Sequence, residues 1–219
     1  MNSDREAFLE RVRRAVAEGN RAGTIPPLPD RGSVGYQGAG PDPVARLEES
    51  LTAAGGVLHR TRDATEALAA VVRLIQERQA RLVLVGDGPV TDALALEAAL
   101  PGVEVRRVSA LEPGRDRSTF FAADIGVTGV DHVIVETGTI VQATRPGQPR
   151  AVSLLVPVHI AVARRSDLLP DLFDLLGENE LPACLSLITG PSKTGDIELR
   201  LVTGVHGPGE VHLVLIENG

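Results

Sequence analysis

One stretch in the middle of the chain restricts the possible folds more than any other, because it alternates strand and helix patterns. Residues 82–85 are continuously apolar, residues 91–100 have the spacing of a helix, and residues 103–108 have a second strand pattern. A strand, a helix and a strand in this order predict parallel pairing through a crossover. Continuous apolar strands are typical of parallel sheets that are buried on both faces. We therefore expect an α/β domain.

The segments around this stretch extend the alternation. Residues 44–54 and 118–125 have helix patterns, and residues 56–59 have a short strand pattern. Another helix is expected to begin after Asp63, because Glu66 follows at the spacing of a capping box. The length of 219 residues suits one large domain or one domain with an appendage.

The apolar run at residues 150–163 is interrupted by Pro157. Proline cannot donate to a central ladder, so a bend, bulge or loop is expected there, just before His159. His159 is either a hydrogen-bonded core residue or part of a ligand site, and the sequence leaves both interpretations open. Beyond this run, a leucine-rich helix is predicted to begin at Ser166 or Asp167.

Composition excludes several functional classes. Of the 219 residues, 43% are hydrophobic and only 2% are aromatic, which argues against RNA recognition by stacked bases. A formal charge of −7 gives no general attraction to nucleic acid or to anionic membrane surfaces. The chain has no apolar run of about 20 residues and no signal-peptide core. We therefore expect a soluble cytoplasmic protein without a membrane span.

A change of pattern near the amino terminus suggests two parts. Residues 4–17 have apolar side chains at helical spacing, whereas residues 19–43 are rich in Gly and Pro. We therefore predict an N-terminal helix with a Pro/Gly-rich arm at residues 1–42, followed by a domain at residues 43–219. The helix could pack on its own domain or on a second copy; we favour a partner chain, and a homodimer is one such arrangement.

Residues 131–144, DHVIVETGTIVQAT, alternate in a way that predicts one strand. In this strand Glu136 and Gly138 interrupt a face of isoleucines, and such interruptions mark sites or bulges. If it is buried among apolar neighbours, Glu136 is a candidate general acid or base; at a strand end it would instead be an ionised carboxylate held by amides or an arginine. Thr137 and Thr139 flank Gly138, where a ligand could approach the backbone closely.

A second candidate lies near the carboxyl end, where an apolar strand pattern at residues 185–188 gives way to a polar loop. Two hydroxyls, one ammonium and several backbone amides converge there, which predicts a loop that binds an anionic group. The residues expected to contribute are Gly190, Ser192, Lys193, Thr194 and Asp196. A second glycine-rich loop at residues 204–209 contains His206, an acid/base candidate.

Two segments match nucleotide-binding motifs only in part. Gly190 and Gly195 have P-loop spacing, but Asp196 and Ile197 occupy the positions that need Lys and Ser or Thr. The turn at residues 86–89 lacks the third glycine of the dinucleotide fingerprint. We therefore exclude a P-loop NTPase and favour an ordinary strand-to-helix turn at residues 86–89.

The sequence gives little support for a metal site or a reactive thiol. No two of the five histidines have the close helical spacing of a zinc motif, so we predict no metal. A single cysteine, Cys184, cannot supply the several thiolates that an iron–sulfur cluster takes from its chain. Because Cys184 lies in an apolar run, we favour a packing role over a nucleophile.

Four motifs resemble the lactate-utilisation (LUD) domain family. They are ADIGVTGVDHVIVETGTIV, LLVPVHIAVAR, TGPSKTGDIE and GVHGPGEVHLVLI, and they begin at Ala123, Leu154, Thr189 and Gly204. They cover roughly the carboxyl-terminal half in family order. The resemblance implies a fold like that of the sugar-phosphate isomerases and CoA-transferases: an open mostly parallel sheet, helices on both faces and a small antiparallel portion. Residues 43–219 would then be the LUD domain.

The resemblance also implies a role in oxidising L-lactate to pyruvate as one of three proteins, two of which carry cysteine-rich or iron–sulfur motifs. No redox cofactor is then expected in this chain, and iron–sulfur clusters are expected on the partner proteins. Our first hypothesis is a subunit that binds a small anionic metabolite. Thr137, Gly138 and Thr139 would bind it together with the loop at residues 190–196, and Glu136 and His206 would be acid/base candidates.

Two other hypotheses stay open, because fold kinship does not assign a reaction. One is a stand-alone acyl- or phosphosugar-handling enzyme of the same fold, with Glu136 as base or nucleophile. Such an enzyme would turn over substrate as the purified chain. The other is a scaffold whose N-terminal helix and arm assemble partners, so removal of residues 1–42 would abolish association.

Overall fold

The computed structural model describes residues 2–19, 35, 38–112, 115–177, 182–194, 202–204 and 206–218. The chain divides into two compact units, Met1–Gly35 and Tyr36–Gly219. The first unit contains helix α1, Asn2–Gly19, which agrees with the predicted amphipathic helix. Phe8, Val12 and Val16 on this helix are exposed.

The second unit contains two larger sheets and a short ribbon. Its strands in chain order are β1 Val57–Thr61, β2 Leu82–Val85, β3 Glu104–Arg107, β4 Ile125–Gly129, β5 His132–Ile134, β6 Thr139–Ala143, β7 Val158–Arg164, β8 Leu168–Leu169, β9 Leu185–Ile188, β10 Lys193–Thr194, β11 Val202–Thr203 and β12 Glu210–Ile216. Its helices are α2 Pro43–Ala54, α3 Ala64–Glu77, α4 Pro89–Leu94, α5 Leu96–Ala99, α6 Arg117–Ala122, α7 Ala151–Leu154 and α8 Leu172–Leu176.

The main sheet has the order β1-β12-β7-β4-β2-β3, and all of its strands are parallel. On one face its apolar residues pack with α3, α4 and α5. On the other face they pack with α2 and with the second sheet, β8-β5-β6-β9. The predicted open parallel sheet with helices on both faces is therefore confirmed, and the mixed second sheet supplies the smaller antiparallel portion.

The prediction of one continuous strand over residues 131–144 is wrong. The segment is a hairpin in which β5 and β6 pair antiparallel on either side of a turn at residues 135–138. Gly138 has φ +63°, a left-handed conformation that strands do not use and that favours glycine. Glu136 consequently lies in the turn and not on an apolar strand face.

The prediction of a helix beginning at Ser166 or Asp167 is also wrong. A 3₁₀ turn, Arg165–Asp167, leads into β8, and β8 pairs with β5 in the second sheet. The helix begins later, where Asp171 Oδ1 accepts hydrogen bonds from the amides of Phe173 and Asp174 at 2.6 and 3.2 Å. Leu168 and Leu169, which the periodic pattern assigned to the helix, therefore form a strand instead.

The helices near the amino end of the domain agree more closely with the sequence pattern. Asp63 caps α3 by accepting the amides of Thr65 and Glu66 at 2.9 and 3.0 Å. Glu66 accepts the amide of Arg62, one residue earlier than a capping box would use. The helix predicted for residues 91–100 is instead α4 and α5, separated by Ala95 at φ +45°.

In the part of the chain that the structure describes, none of the helices is both long enough and apolar enough to cross a bilayer.

Candidate functional site

The carboxyl-terminal half of α2 supports the turn between β5 and β6. The hydroxyl of Ser50 donates to the Glu136 carbonyl at 3.1 Å. A Cβ at Gly138 would lie 2.5 Å from the Leu51 amide nitrogen, so only glycine lets the turn lie this close to the helix. The predicted close approach at Gly138 therefore exists, but the approaching group is α2.

The loop after β9 lies against the last turn of the same helix. A Cβ at Gly190 would be 2.9 Å from the Ala54 carbonyl carbon, and Gly190 has φ +73°. The ammonium of Lys193 donates to the Ala54 carbonyl oxygen at 2.6 Å, where the helix dipole favours a cation. Leu51 and Ala54 are about one helical turn apart, so the turn and the loop are neighbours.

Three threonines connect the turn and the loop through their hydroxyls. Thr139 Oγ1 is 2.7 Å from Thr137 Oγ1 and 2.7 Å from Thr189 Oγ1. Thr139 is buried, whereas Thr137 and Thr189 are exposed at the two ends. Two contacts use two of the three hydroxyl protons, so an O–H at one end can donate to an external acceptor. We call Thr137, Thr139 and Thr189 the hydroxyl chain.

Hydrogen bonds join the two glycine-rich loops into one unit. The amide of Ser192 donates to the Pro208 carbonyl at 2.9 Å, and the amide of Gly204 donates to the Ser192 carbonyl at 3.0 Å. Strands β10 and β11 pair antiparallel between the loops. Asp196 lies outside the described residues, as does the side chain of Thr194.

This unit lies at the amino-terminal edge of the main sheet. Gly55 and Gly56 lead from α2 into the start of β1, and the amide of Gly209 donates to the Pro157 carbonyl at 2.9 Å. Ligands of open α/β sheets usually bind at the carboxyl edge. The predicted loops are therefore brought together, but at the less usual edge.

The two acid/base candidates occupy different surroundings. Glu136 is half-buried, and its amide donates to the Pro170 carbonyl at 3.1 Å. His206 is exposed and lines a cleft of about 770 Å³ whose walls include Leu154 and Glu210. The roles proposed for these two residues remain predictions.

His159 is fully buried and connects the two larger sheets. Its Nε2 is 2.9 Å from Thr128 Oγ1, and the Gln142 amide nitrogen donates both to that hydroxyl and to the Gly129 carbonyl. The Thr128 proton is then directed to Nε2, which leaves Nδ1 to carry the imidazole proton. Within the described residues Nδ1 has no hydrogen-bond partner. Burial, with a smaller effect of His212, lowers the pKa of His159 to about 3, so its ring is neutral.

One ionisable cluster was missed by sequence reasoning. His59 Nε2 is 3.0 Å from His212 Nδ1, and Arg78 bridges His212 and Glu210. Burial, followed by the charge of His212, lowers the pKa of His59 to about 4. These histidines are on adjacent strands but 153 residues apart in sequence, so no local pattern could have paired them.

The cation predicted for this loop, Lys193, is also unusual in the composition of the chain. Lys193 is the only lysine among 22 basic residues, all the others being arginine. An ammonium is a compact cation with three donors, and one of them is already directed to Ala54. Within the described residues the other two donors have no partner, so they can be offered to a ligand.

The carboxyl edge holds a smaller recess. The connections after β2 and β4 diverge to opposite sides of the main sheet, and the Gly86 amide donates to the Val127 carbonyl at 2.9 Å. Gly86, Thr128 and Gln142 are among the residues that line this recess. The expected strand-to-helix turn is present, since α4 begins at Pro89.

Among the described residues, no group of three or more His, Cys, Asp or Glu side chains is arranged to hold a metal ion.

Known proteins resemble the chain over most of the second unit. The family described as LUD domain matches residues 44–216. Lactate utilization protein C of Halalkalibacterium halodurans is 33% identical over 157 residues, which cover 68% of this chain and 68% of that protein. Lactate utilization protein C of Shouchella clausii is 37% identical over 103 residues, 44% of this chain and 45% of that protein. The second match thus spans less than half of the relative's length.

A solved structure resembles the fold. The crystal structure of a duf162 family protein from Deinococcus radiodurans superposes with a TM-score of 0.56 and 22% sequence identity. The superposition covers 87% of this chain and 99% of that one. This likeness concerns the fold alone.

Proposed function

The chain belongs to the LUD domain family, and from this membership we propose that it acts in lactate utilisation. In the proposed role it is the subunit without a redox cofactor of its own in a multi-protein system that oxidises L-lactate to pyruvate. The relatives named for lactate utilisation support the process. The finer assignment, a subunit of such a system, is part of the proposal.

Cys184, the only cysteine of the chain, is the reason for placing the redox cofactor on other proteins of the system. Electron transfer from lactate needs an acceptor, and one thiolate cannot hold an iron–sulfur cluster of the usual kind. The Thr144 hydroxyl lies 3.6 Å from the Cys184 sulfur, which is half-buried. We therefore assign iron–sulfur clusters to partner proteins.

We assign the binding of a small anionic metabolite to the hydroxyl chain and Lys193. The observation that carries this assignment is the pair of 2.7 Å hydroxyl contacts, which use only two of the three hydroxyl protons. In the proposed site the third proton lies at an exposed end of the hydroxyl chain and donates to the anion. The two unused N–H donors of Lys193 would complete the set of donors. A carboxylate or a phosphate accepts such donors, and charge-assisted hydrogen bonds are the stronger ones.

The single lysine allows a direct test on the unmodified sequence. We expect L-lactate, pyruvate or phosphate to slow acetylation of the Lys193 amine, because a bound anion would occupy its free donors. The rate is measured by mass spectrometry of the peptide that contains Lys193, with chloride at equal ionic strength as the reference. An equal rate with all four anions would contradict the assignment.

Variants then separate ligand binding from the structural bond to Ala54. Lys193→Met should weaken anion binding at least about tenfold, because a charged hydrogen bond contributes about 1.5–3 kcal/mol. Lys193→Arg, the matched control, keeps the charge and should bind within a few-fold of the parent. Thr189→Val should reduce the protection of Lys193 while leaving its acetylation rate without ligand unchanged.

A further inference from the structure

A second cleft opens at the carboxyl end of β3, at the edge of the main sheet opposite the hydroxyl chain; we call it the β3 cleft. Its volume is about 860 Å³. Val108, Leu111 and Phe120 line it and also belong to the hydrophobic core, so its floor is packed against the interior of the domain. Phe121 and Leu155 also line it, with exposed fractions of 60% and 41%. Large apolar side chains this exposed mark binding surfaces when they adjoin a cleft.

The wall that carries Arg145 is fixed by hydrogen bonds. The Asp87 amide donates to the Gly147 carbonyl at 2.9 Å, and the Gln148 side chain donates to the Asp87 carbonyl at 2.6 Å. Arg145 donates to Gln148 Oε1 at 2.9 Å and forms an ion pair with Asp131. The β3 cleft is therefore formed before a ligand arrives, as most small-molecule sites are.

Arg117 supplies the available positive charge of the β3 cleft. Its guanidinium lies 5.7 Å from the centre of the Phe121 ring, and its side chain is exposed. No carboxylate of a described residue forms an ion pair with it, whereas Arg145 is neutralised by Asp131. An anion at Arg117 would have the apolar ring of Phe121 beside it.

A polar group with one fixed orientation completes the cleft. Ser109 lines it, and the Ser109 hydroxyl donates to Asp87 Oδ1 at 3.0 Å. Because that proton is used, the Ser109 oxygen offers only acceptor positions to the cleft. Anionic groups are thereby directed to Arg117.

We propose that the β3 cleft binds an amphiphilic organic anion, a carboxylate or phosphate joined to an apolar chain or ring. The apolar part lies against Phe120, Phe121 and Leu155, and the anionic group lies on Arg117. A volume of about 860 Å³ is in the range of sites for drug-sized ligands and exceeds what a three-carbon acid fills. The position agrees with ligand binding at the carboxyl edge of parallel sheets. This site is separate from the hydroxyl chain and does not depend on it.

The test is a titration of the ¹⁵N-labelled full chain with octanoate, octyl phosphate and 1-octanol, followed by amide chemical shifts. Saturable shifts at Ser109, Phe121 and Gly147 are expected with the two anions, and much weaker binding with the alcohol. The stronger of the two anions identifies the carboxylate or the phosphate as the preferred group. No saturable shift at these amides with either anion would overturn the proposal.

Exposed positions supply variants that should fold. Arg117→Gln should weaken binding of the two anions about tenfold, because a charged contact is lost. Binding of the uncharged 1-octanol should not change. Phe121→Ser should weaken all three ligands about tenfold. The controls Arg115→Gln and Leu187→Ser change an exposed arginine and an exposed leucine outside the cleft, and should change nothing. Equal effects of the cleft variants and the controls would also overturn the proposal.

Discussion

Gly126→Ala is expected to lower the free energy of unfolding by about 3 kcal/mol or more, the upper part of the range for overpacked sites. A Cβ at Gly126 would overlap the Val152 carbonyl oxygen and lie 3.0 Å from its carbonyl carbon. Both groups are backbone, in the central strand β4 and in α7, so neither can rotate away. Thermal unfolding should show a loss of about 6–12 °C for a chain of this length.

The matched control is in the same strand. Around Gly129, a Cβ would meet nothing within 4 Å, so Gly129→Ala should change the melting temperature little. Equal melting temperatures for the two variants would show that α7 does not pack on β4 as described. Because α7 also lines the β3 cleft through Ala151, Gly126→Ala should weaken ligand binding there as well.

Acidification from pH 7 to pH 5 is expected to destabilise the fold by about 2 kcal/mol through His159 alone. The pKa of His159 is about 3 in the folded chain, because the ring is buried. The ordinary histidine pKa is about 6.5, so below it the unfolded chain binds a proton that the folded chain does not. The stability that His159 contributes is therefore fully present above about pH 6.5 and is lost as the pH falls below that value. His59, with a pKa of about 4, acts in the same direction but is half-buried and adds less.

Melting temperatures between pH 7 and pH 5 test this expectation. The parent chain should lose about 4–8 °C over this interval from His159. In His159→Gln the loss should shrink, while His206→Gln, at an exposed position, should keep the parent's slope. The interval stays above the range in which carboxylates such as Glu210, whose pKa Arg78 holds low, begin to take up protons. A parent melting temperature that is flat from pH 7 to pH 5 would contradict the buried neutral imidazole.

Several strands of both larger sheets could be predicted because their signals are local. Residues 82–85 and 185–188 are strands within the predicted bounds, since short apolar runs between turn residues leave few alternatives. The hairpin at residues 131–144 could not be read from alternation, because a strand and a hairpin with a turn at Glu136 have the same period. Glu136 and Gly138 interrupt the apolar face, but such interruptions indicate a site or a bulge as readily as a turn.

The candidate site was predicted in part for the same reason. Glycine and proline marked the loops at residues 189–194 and 204–209, and these loops do meet. The packing of this site against α2 could not be predicted. The contacts of Gly138 and Lys193 with α2 join segments that are far apart in the chain, and no local pattern indicates them. The β3 cleft is assembled from three segments that are separate in the sequence, and no local pattern shows that they meet.

We expect the chain to take part in a multi-protein system that oxidises L-lactate, and isolating it from its own cells measures this participation. The tagged chain is isolated from lactate-grown cells of its source organism, and the isolate is assayed for L-lactate-dependent dye reduction with its absorption spectrum recorded. We predict that iron–sulfur proteins accompany the chain, that a visible cluster band is present, and that L-lactate reduces the dye. A colourless isolate of this chain alone, without lactate-dependent reduction, would contradict the claim.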